Sequence, residues 1–398
     1  MNMKIYEVGT GYTPVPAKIS AATEIVVEEL TKVFLNRNIP VEIVDIAAED
    51  RKENQLPIRE VKVPKLFTAT DVHLGLMHKL KRVVYSVALA GELKQILKNA
   101  EEKVVLHFHN QYNLFFFLKL IPKRIRRKAL IAYTNHSGIW RLDWDEIKDT
   151  VSKRYFQEAE CMKRADLVFV LNEETKRNVM THLGVAEECI VVINNGVNTD
   201  IYCPVPADLR ETAKEKFGLQ NSRVILQVGS IYENKGQLRT AEYLLPLLKE
   251  NEDLVFVYAG GIVDEEYQQQ IDGFAKENGL EKQIRYLGMI APGAELNDLY
   301  NTAFATILPS RYEAFGLVAI ESLSAGVPVL VDERGPIRFG AGSVCFNPET
   351  ICMCVEKLAC SADDRLRDDA RNNALNQYGW NKIAADYAEV MLQKEKMI

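Results

Sequence analysis

The sequence has no long apolar run. Its greasiest stretches, "YNLFFFLKLI" and "RVVYSVALAGEL", are too short or too interrupted for a membrane span, which needs about 20 apolar residues. Basic charge is not in excess either: a formal net charge of −6 over 398 residues gives no nucleic-acid footprint. Cysteine is sparse and odd in number, seven in all, which fits a reducing compartment better than a disulfide framework. Cys345, Cys352, Cys354 and Cys360 cluster, but not at the paired spacing of a zinc site. They read as small buried hydrophobes, with no metal implied. The sequence also lacks solenoid-period repeats and low-complexity tracts. The first strand leads into "VGTGYTPVP", which lacks the dinucleotide fingerprint and argues against a dehydrogenase. "MNMKIYEVGTGY" has a lone lysine and then only a strand-length apolar run, so a cytoplasmic location is expected rather than export.

What is present is an ordinary soluble composition, 47% hydrophobic and 26% charged, in a chain long enough for two domains. Short β-branched runs alternate with helical patterns. Strands are expected at 4–8, 41–46, 104–109, 129–134, 167–172 and 190–195, then at 224–229, 254–260, 284–288, 305–309 and 327–332. Several are apolar nearly throughout, as strands covered on both faces are. Amphipathic helices such as "AATEIVVEELTKVFLNRN" lie between them, which predicts an α/β fold with parallel sheets and right-handed crossovers. An irregular join at 198–209, "NTDIYCPVPADL", separates two sets of strands. Two doubly wound, Rossmann-like domains follow, facing an interdomain cleft where a ligand would bind.

One stretch poses a chemical question. In "RYEAFGLVAIESL" (311–323), Leu317, Val318, Ala319, Ile320, Leu323 and Ala325 cover every side of a helix at roughly 100° per residue, so the helix should be buried. Glu321 sits inside it and Glu313 just before it, although carboxylates are rarely buried unpaired. "FGL" falls at the helix's amino end, where free N–H groups and partial positive charge hold phosphates, and Gly316 lets the backbone approach. A diphosphate there would leave Glu321 for ribose hydroxyls and Glu313 for a transferred group; the plain alternative is that Glu321 pairs with an internal cation. "VGSIYENKGQ" (228–237) offers a second phosphate grip, with Gly229 and Ser230 in the turn and Lys235 as point charge. Alone it is equally well read as a helix start.

These segments resemble a known family. "LPSRYEAFGLVAIESLSAGVPVLV" (308–331) is similar to the Glu-x7-Glu signature of retaining glycosyltransferases of family four. "ADLVFVLNEETKRNVMTHLGVAEECIVVINNGVNTDIYCP" (165–204), "ELNDLYNTAFATILPS" and "QYGWNKIAADYAEVML" resemble the family's Asn-Gly-Val-Asp segment, the elements before the signature and its closing helix. The resemblance implies a GT-B fold: an N-terminal acceptor-binding domain over 1–200, a C-terminal nucleotide-sugar domain over 201–376, and a closing helix over 377–398 packed back on the first domain. It implies transfer of a sugar from a nucleotide-diphosphate donor, UDP favoured, to an acceptor hydroxyl, with no cofactor and no metal. Glu313, Phe315, Gly316, Leu317 and Val318 would line the donor sugar and diphosphate, and Glu321 would hold the ribose. Lys235, beside Gly229 and Ser230, would stabilise the leaving nucleotide, and Met289 would border the nucleobase through its backbone. His136, ending "IAYTNHS", would reach the reacting carbon, although a satisfied strand-end histidine is the plain alternative.

Four positions depart from the family pattern. Ser230 stands where the family has an arginine, Ala21 and Ala22 replace a Gly-Gly turn, and Asn198 replaces an aspartate. They leave room for a nucleotide-sugar-binding subunit without turnover; a GT-B phosphorylase or epimerase is the other alternative. The sequence offers no clear Asp-x-Asp site for a diphosphate-bound Mg²⁺. On the acceptor side stand Lys18, Ala21, Ala22 and His109; His107 and His109 alternate onto one face of their strand. The acceptor would be a sugar or a lipid-linked sugar, in glycan, glycolipid or envelope synthesis. "KLIPKRIRRKAL" (119–130) is a solvated loop or a weak contact with the inner face of the membrane. No nucleic-acid partner is expected.

Overall fold

The computed structural model describes residues 4–16, 22–49, 51, 54–67, 76–313, 315–335, 338–360 and 364–397. Lys18 and Ala21 lie outside them. The chain forms two compact units, Met1–Asn195 with Trp380–Ile398, and Gly196–Gly379. Among the described residues the first carries β1 (Ile5–Val8), β2 (Val41–Ile46), β3 (Ile58–Val61), β4 (Val104–Phe108), β5 (Ala129–Thr134), β6 (Leu167–Val170) and β7 (Ile190–Val192), ordered β3-β2-β1-β4-β5-β6-β7. The second carries β8 (Arg223–Val228), β9 (Leu254–Ala259), β10 (Ile284–Tyr286), β11 (Ala303–Leu308), β12 (Val329–Asp332) and β13 (Ser343–Phe346), ordered β10-β9-β8-β11-β12-β13. Every pairing is parallel, so the α/β class read from the sequence holds.

Each sheet reverses its winding once, between β1 and β4 and between β8 and β11. Loops at the carboxyl ends of such strands diverge and leave a crevice. The strands of the first sheet alternate their side chains between two layers. Tyr6, Val8, Leu106, Phe108, Ile131 and Tyr133 enter one core layer. Ile5, Val105, Leu130, Ala132 and Phe169 enter the other, which is closed by Trp380, Ile383, Ala384, Tyr387 and Met391 of the last helix, Trp380–Met397. That helix also packs on Ala22–Asn36. Full burial of each such side chain contributes roughly 1.5–3 kcal/mol, so the returning helix is a structural member of the first unit.

Three sequence expectations need correction. The helix Leu317–Ser324 is not buried all round: Leu317, Val318 and Glu321 are only half-buried. Positions i, i+1 and i+4 share one side, and that side is open. The cysteines are not buried hydrophobes either, since Cys345 is exposed and Cys352 and Cys354 are half-buried. The segment 119–130 is largely helical rather than loop, through the end of Gln111–Leu120 and the turn Lys123–Arg126. No helix among the described residues is long and apolar enough to cross a membrane.

Candidate active site

In the second unit the chemistry gathers where β8 and β11 diverge. β8 ends into Gly229, whose φ of 153° disfavours other residues; its carbonyl packs on Gly260, where a Cβ would stand 2.1 Å from the Gly229 oxygen. Lys235 follows in the turn Glu233–Lys235, and its carbonyl accepts from the buried Gln227 side chain at 2.7 Å. Thr240 donates in turn to Gln227 Oε1 at 2.9 Å. Lys235 Nζ forms an ion pair with Glu313, from the loop after β11. Asn234 ties the two loops together, donating to the Tyr312 carbonyl at 3.0 Å and accepting from the Tyr312 amide at 3.1 Å. The charged pair is therefore held by a backbone clasp, not only by its own attraction.

Phe315 is buried and meets Phe339 and Tyr378, each at 5.9 Å between ring centroids. It anchors the turn into Gly316, which caps the helix Leu317–Ser324 at φ 86°. A Cβ there would press on Leu308 at 3.0 Å and Phe339 at 3.3 Å, and the left-handed backbone already favours glycine. Among the described residues no side chain caps this helix; the Ala319 amide donates to the Gly316 carbonyl at 3.0 Å, which leaves the amides of Leu317 and Val318 as its leading donors. One turn on, Glu321 accepts from the Tyr300 hydroxyl at 2.8 Å. Burial pushes its carboxyl up to about 7, against the pull of hydrogen bonds from Tyr300 and Tyr202. Among the described residues Glu321 thus has no cationic partner; its partners are the phenols of Tyr300 and Tyr202. Met289, beyond β10, is exposed, and Ser230 is exposed with its carbonyl accepting from Gln237 at 3.0 Å.

The first unit holds a different constellation. Glu7 and His107 point into the layer closed by the last helix, where Glu7 bridges His107 Nδ1 at 3.0 Å and His109 Nε2 at 2.7 Å. His109 Nδ1 meets His136 Nε2 at 3.1 Å, and His107 Nε2 meets Thr134 Oγ1 at 2.7 Å. Tyr387 of the last helix lies 3.4 Å beyond Thr134. Burial would raise the Glu7 carboxyl, but the two imidazoles hold it low, at about 2. Burial, with its histidine neighbours, lowers His109 to about 4 and His136 well below its ordinary value. An ionised Glu7 accepts from both imidazoles, so neutral His109 presents a bare Nδ1 and His136 donates through Nε2–H. The proton positions along the chain are thereby fixed.

Glu7, His107 and His109 also place one ligand atom each within 4.8 Å of one another. The same nitrogens already hydrogen-bond the Glu7 carboxylate, so a cation would have to displace that network. A literal Asp-x-Asp string occurs at Asp143 and Asp145, but Asp143 caps the helix Trp144–Thr150 and exposed Asp145 pairs with Lys148. Ala22, at the start of Ala22–Asn36, is exposed.

Residues 23–201 match the model described as Glycosyltransferase Family 4, and residues 210–342 match Glycosyl transferases group 1. Together the two matches support a glycosyltransferase of family 4. It is a transferase that takes its sugar from a nucleotide-sugar donor. An uncharacterized glycosyltransferase of Methanocaldococcus jannaschii is 26% identical over 77% of this chain and 80% of its own. A D-inositol 3-phosphate glycosyltransferase of Streptomyces bingchenggensis is 31% identical over 60% of this chain, and the match spans only 55% of that enzyme. The fold matches Anabaena HepE, solved with UDP, at a TM-score of 0.72 with 15% identity, over 98% of this chain and 100% of HepE. Both units are the Rossmann-like units of the GT-B fold.

Within this glycosyltransferase the signature carboxylates were legible in the sequence, whereas Tyr300, Gln227, Asn234 and Glu7 were not. A lone carboxylate in the strand "IYEV" was the one signal that would have flagged Glu7. Asn198, in the family's aspartate position, accepts from the amides of Asp200 and Ile201 at 3.1 and 3.2 Å, the turn an aspartate would also make.

Proposed function

We propose that the protein is a retaining glycosyltransferase that moves a sugar from a UDP-sugar to an acceptor hydroxyl without a metal ion. The observation that carries this reading is the ammonium of Lys235 held on Glu313 beside an uncapped, glycine-led helix with Glu321 on its open side. The donor's anomeric C–O bond breaks, and its electrons pass to the diphosphate. Lys235 and the amides after Gly316 meet that growing charge, where preorganised groups act most strongly. Glu313 and Phe315 border the sugar, Glu321 accepts from the ribose hydroxyls, and Met289 flanks the base. The acceptor oxygen bonds the same face of the carbon, and its proton goes to the departing phosphate oxygen. No covalent bond to Glu313 is required. His136 belongs to the unit that takes the acceptor, where its Nε2 lies 3.1 Å from His109 Nδ1. UDP is favoured because it is the nucleotide bound in HepE.

Binding to UDP, GDP and ADP by titration calorimetry tests the reading. UDP binds tightest, and EDTA changes neither binding nor transfer. Because burial pushes Glu321 up to about 7 and the ionised carboxylate is the stronger acceptor for ribose hydroxyls, UDP affinity rises by up to about tenfold from pH 6 to pH 8. The variant Glu321→Gln flattens that profile. An inverted anomeric product, or transfer abolished by EDTA, defeats the proposal.

The basic segment supports a second contact. Lys119, Lys123, Arg124, Arg127 and Lys128 are exposed, with Leu120 among them; together they suit an anionic lipid surface. The protein should sediment with phosphatidylglycerol vesicles and not with phosphatidylcholine vesicles at low salt. Equal recovery with both, or none with either, removes this contact.

A further inference from the structure

The carboxyl end of the first sheet holds a cation with no counter-charge among the described residues. Tyr12 follows β1, and Tyr112 opens the helix Gln111–Leu120 after β4, so both stand where that sheet reverses its winding. Arg82, from the helix Leu76–Asn99, lies between them, 4.6 Å from the Tyr12 ring centroid and 5.1 Å from that of Tyr112. Among the described residues its guanidinium makes no hydrogen bond and no ion pair, and its Nε is buried without a partner.

A guanidinium carries five N–H donors in one plane. Here the Nε–H is withdrawn from water without an acceptor, which is costly, and the half-buried guanidinium recovers only part of that from two aromatic contacts. Those contacts engage the flat faces and leave the edge donors unspent. A planar fork with free edges suits a phosphate or carboxylate taken bidentately.

The polar neighbours are already committed. Ser86 donates to Asn113 Oδ1 at 2.9 Å, Asn113 donates to the Gly9 carbonyl at 2.9 Å, and Asn110 accepts from the Tyr112 amide at 2.9 Å. The nearby carboxyl, Glu24, takes the Thr10 hydroxyl instead of Arg82, and burial pushes it up to about 7. Arg82 is the group left over.

We infer that Arg82, clamped by Tyr12 and Tyr112, receives an anionic group, phosphate or carboxylate, carried by the sugar acceptor. The inference rests on the glycosyltransferase reading and narrows its acceptor from any hydroxyl to an anionic sugar or polyol.

The test compares glucose, glucose 6-phosphate, inositol phosphate and glucuronate as acceptors, alongside calorimetric binding of each without donor. In the wild-type protein at least one charged compound should have a KM or Kd about 10–100-fold below that of glucose, the scale of a hydrogen bond to a charged group. Phosphate and carboxylate members separate the two chemistries. Arg82→Gln should abolish that ratio and Arg82→Lys should restore part of it, with melting temperatures reporting that both variants fold. Equal use of neutral and charged compounds, or a ratio unchanged by Arg82→Gln, overturns the inference. Donor hydrolysis by the wild-type protein without acceptor reports separately on the glycosyltransferase reading. If hydrolysis and transfer are both missing, that reading fails, and the calorimetric ratio still decides the anion site.

Discussion

Replacing Lys235 with alanine lowers kcat for sugar transfer by about 10²–10³-fold, the loss typical when one preorganised group facing a developing charge is removed. In the resting protein Lys235 is engaged by Glu313, so the donor's diphosphate must share the ammonium with a carboxylate. This makes the partner variant informative. Glu313→Gln removes a negative charge beside the diphosphate and frees Lys235, so nucleotide binding tightens, by on the order of tenfold, while transfer falls. A purely structural pair behaves differently. Both variants would then lower the melting temperature and leave kcat close to wild type. Steady-state kinetics with nucleotide titrations separate the outcomes.

Replacing Glu7 with alanine destabilises the first unit by about 3–5 kcal/mol, the cost of breaking a buried, charge-bearing network on one side. Two imidazole N–H groups would face a hole among Phe169, Tyr387 and Thr134. For a unit of this size the loss lowers its melting temperature by roughly 10 °C. The pH dependence has a definite sign. Glu7 is held at about 2 in the fold, below its ordinary value, so its stabilisation is present above that ordinary value and is lost as pH falls through about 2. His109, lowered to about 4, acts in the same direction: the unfolded chain takes up its proton first, between pH 6.5 and 4. The contribution of these two groups therefore declines on acidification below about pH 6.5, while Glu24 and Glu321, raised to about 7 by burial, act in the opposite direction; Glu7→Ala loses the part of the decline set by its own carboxylate. Calorimetric melts from pH 2 to pH 8 read both effects; a variant that melts with the wild type contradicts the network's role.

The legible part of the fold was the part with a strong local signature. β5 and β9, central and apolar throughout, stand out in the sequence, and their observed ends fall within one residue of the expected ones. β3 and β13 were missed. Each pairs on one side only, and their "IREV" and "SVCF" are short and largely half-buried or exposed, so neither leaves an apolar run. The site divides in the same way. Gly316, Glu313 and Glu321 share one short stretch, whose carboxylates sit oddly around an apolar helix. Tyr300 is an ordinary buried aromatic until the fold brings its hydroxyl to Glu321. Glu7 meets its histidines 100 and 102 positions away, a distance no local pattern spans. Arg82 sits in an unremarkable helix, and only the two tyrosines from other loops give it meaning.

The central claim is that the uncapped helix after Gly316, Lys235 and Glu321 together hold a nucleoside diphosphate. A crystal structure with UDP tests it directly. The account predicts the diphosphate against the amides of Leu317 and Val318 and the Lys235 ammonium, with the ribose hydroxyls on the Glu321 carboxylate. UDP bound at another place, or Glu321 facing only Tyr300 while UDP occupies its site, would contradict it.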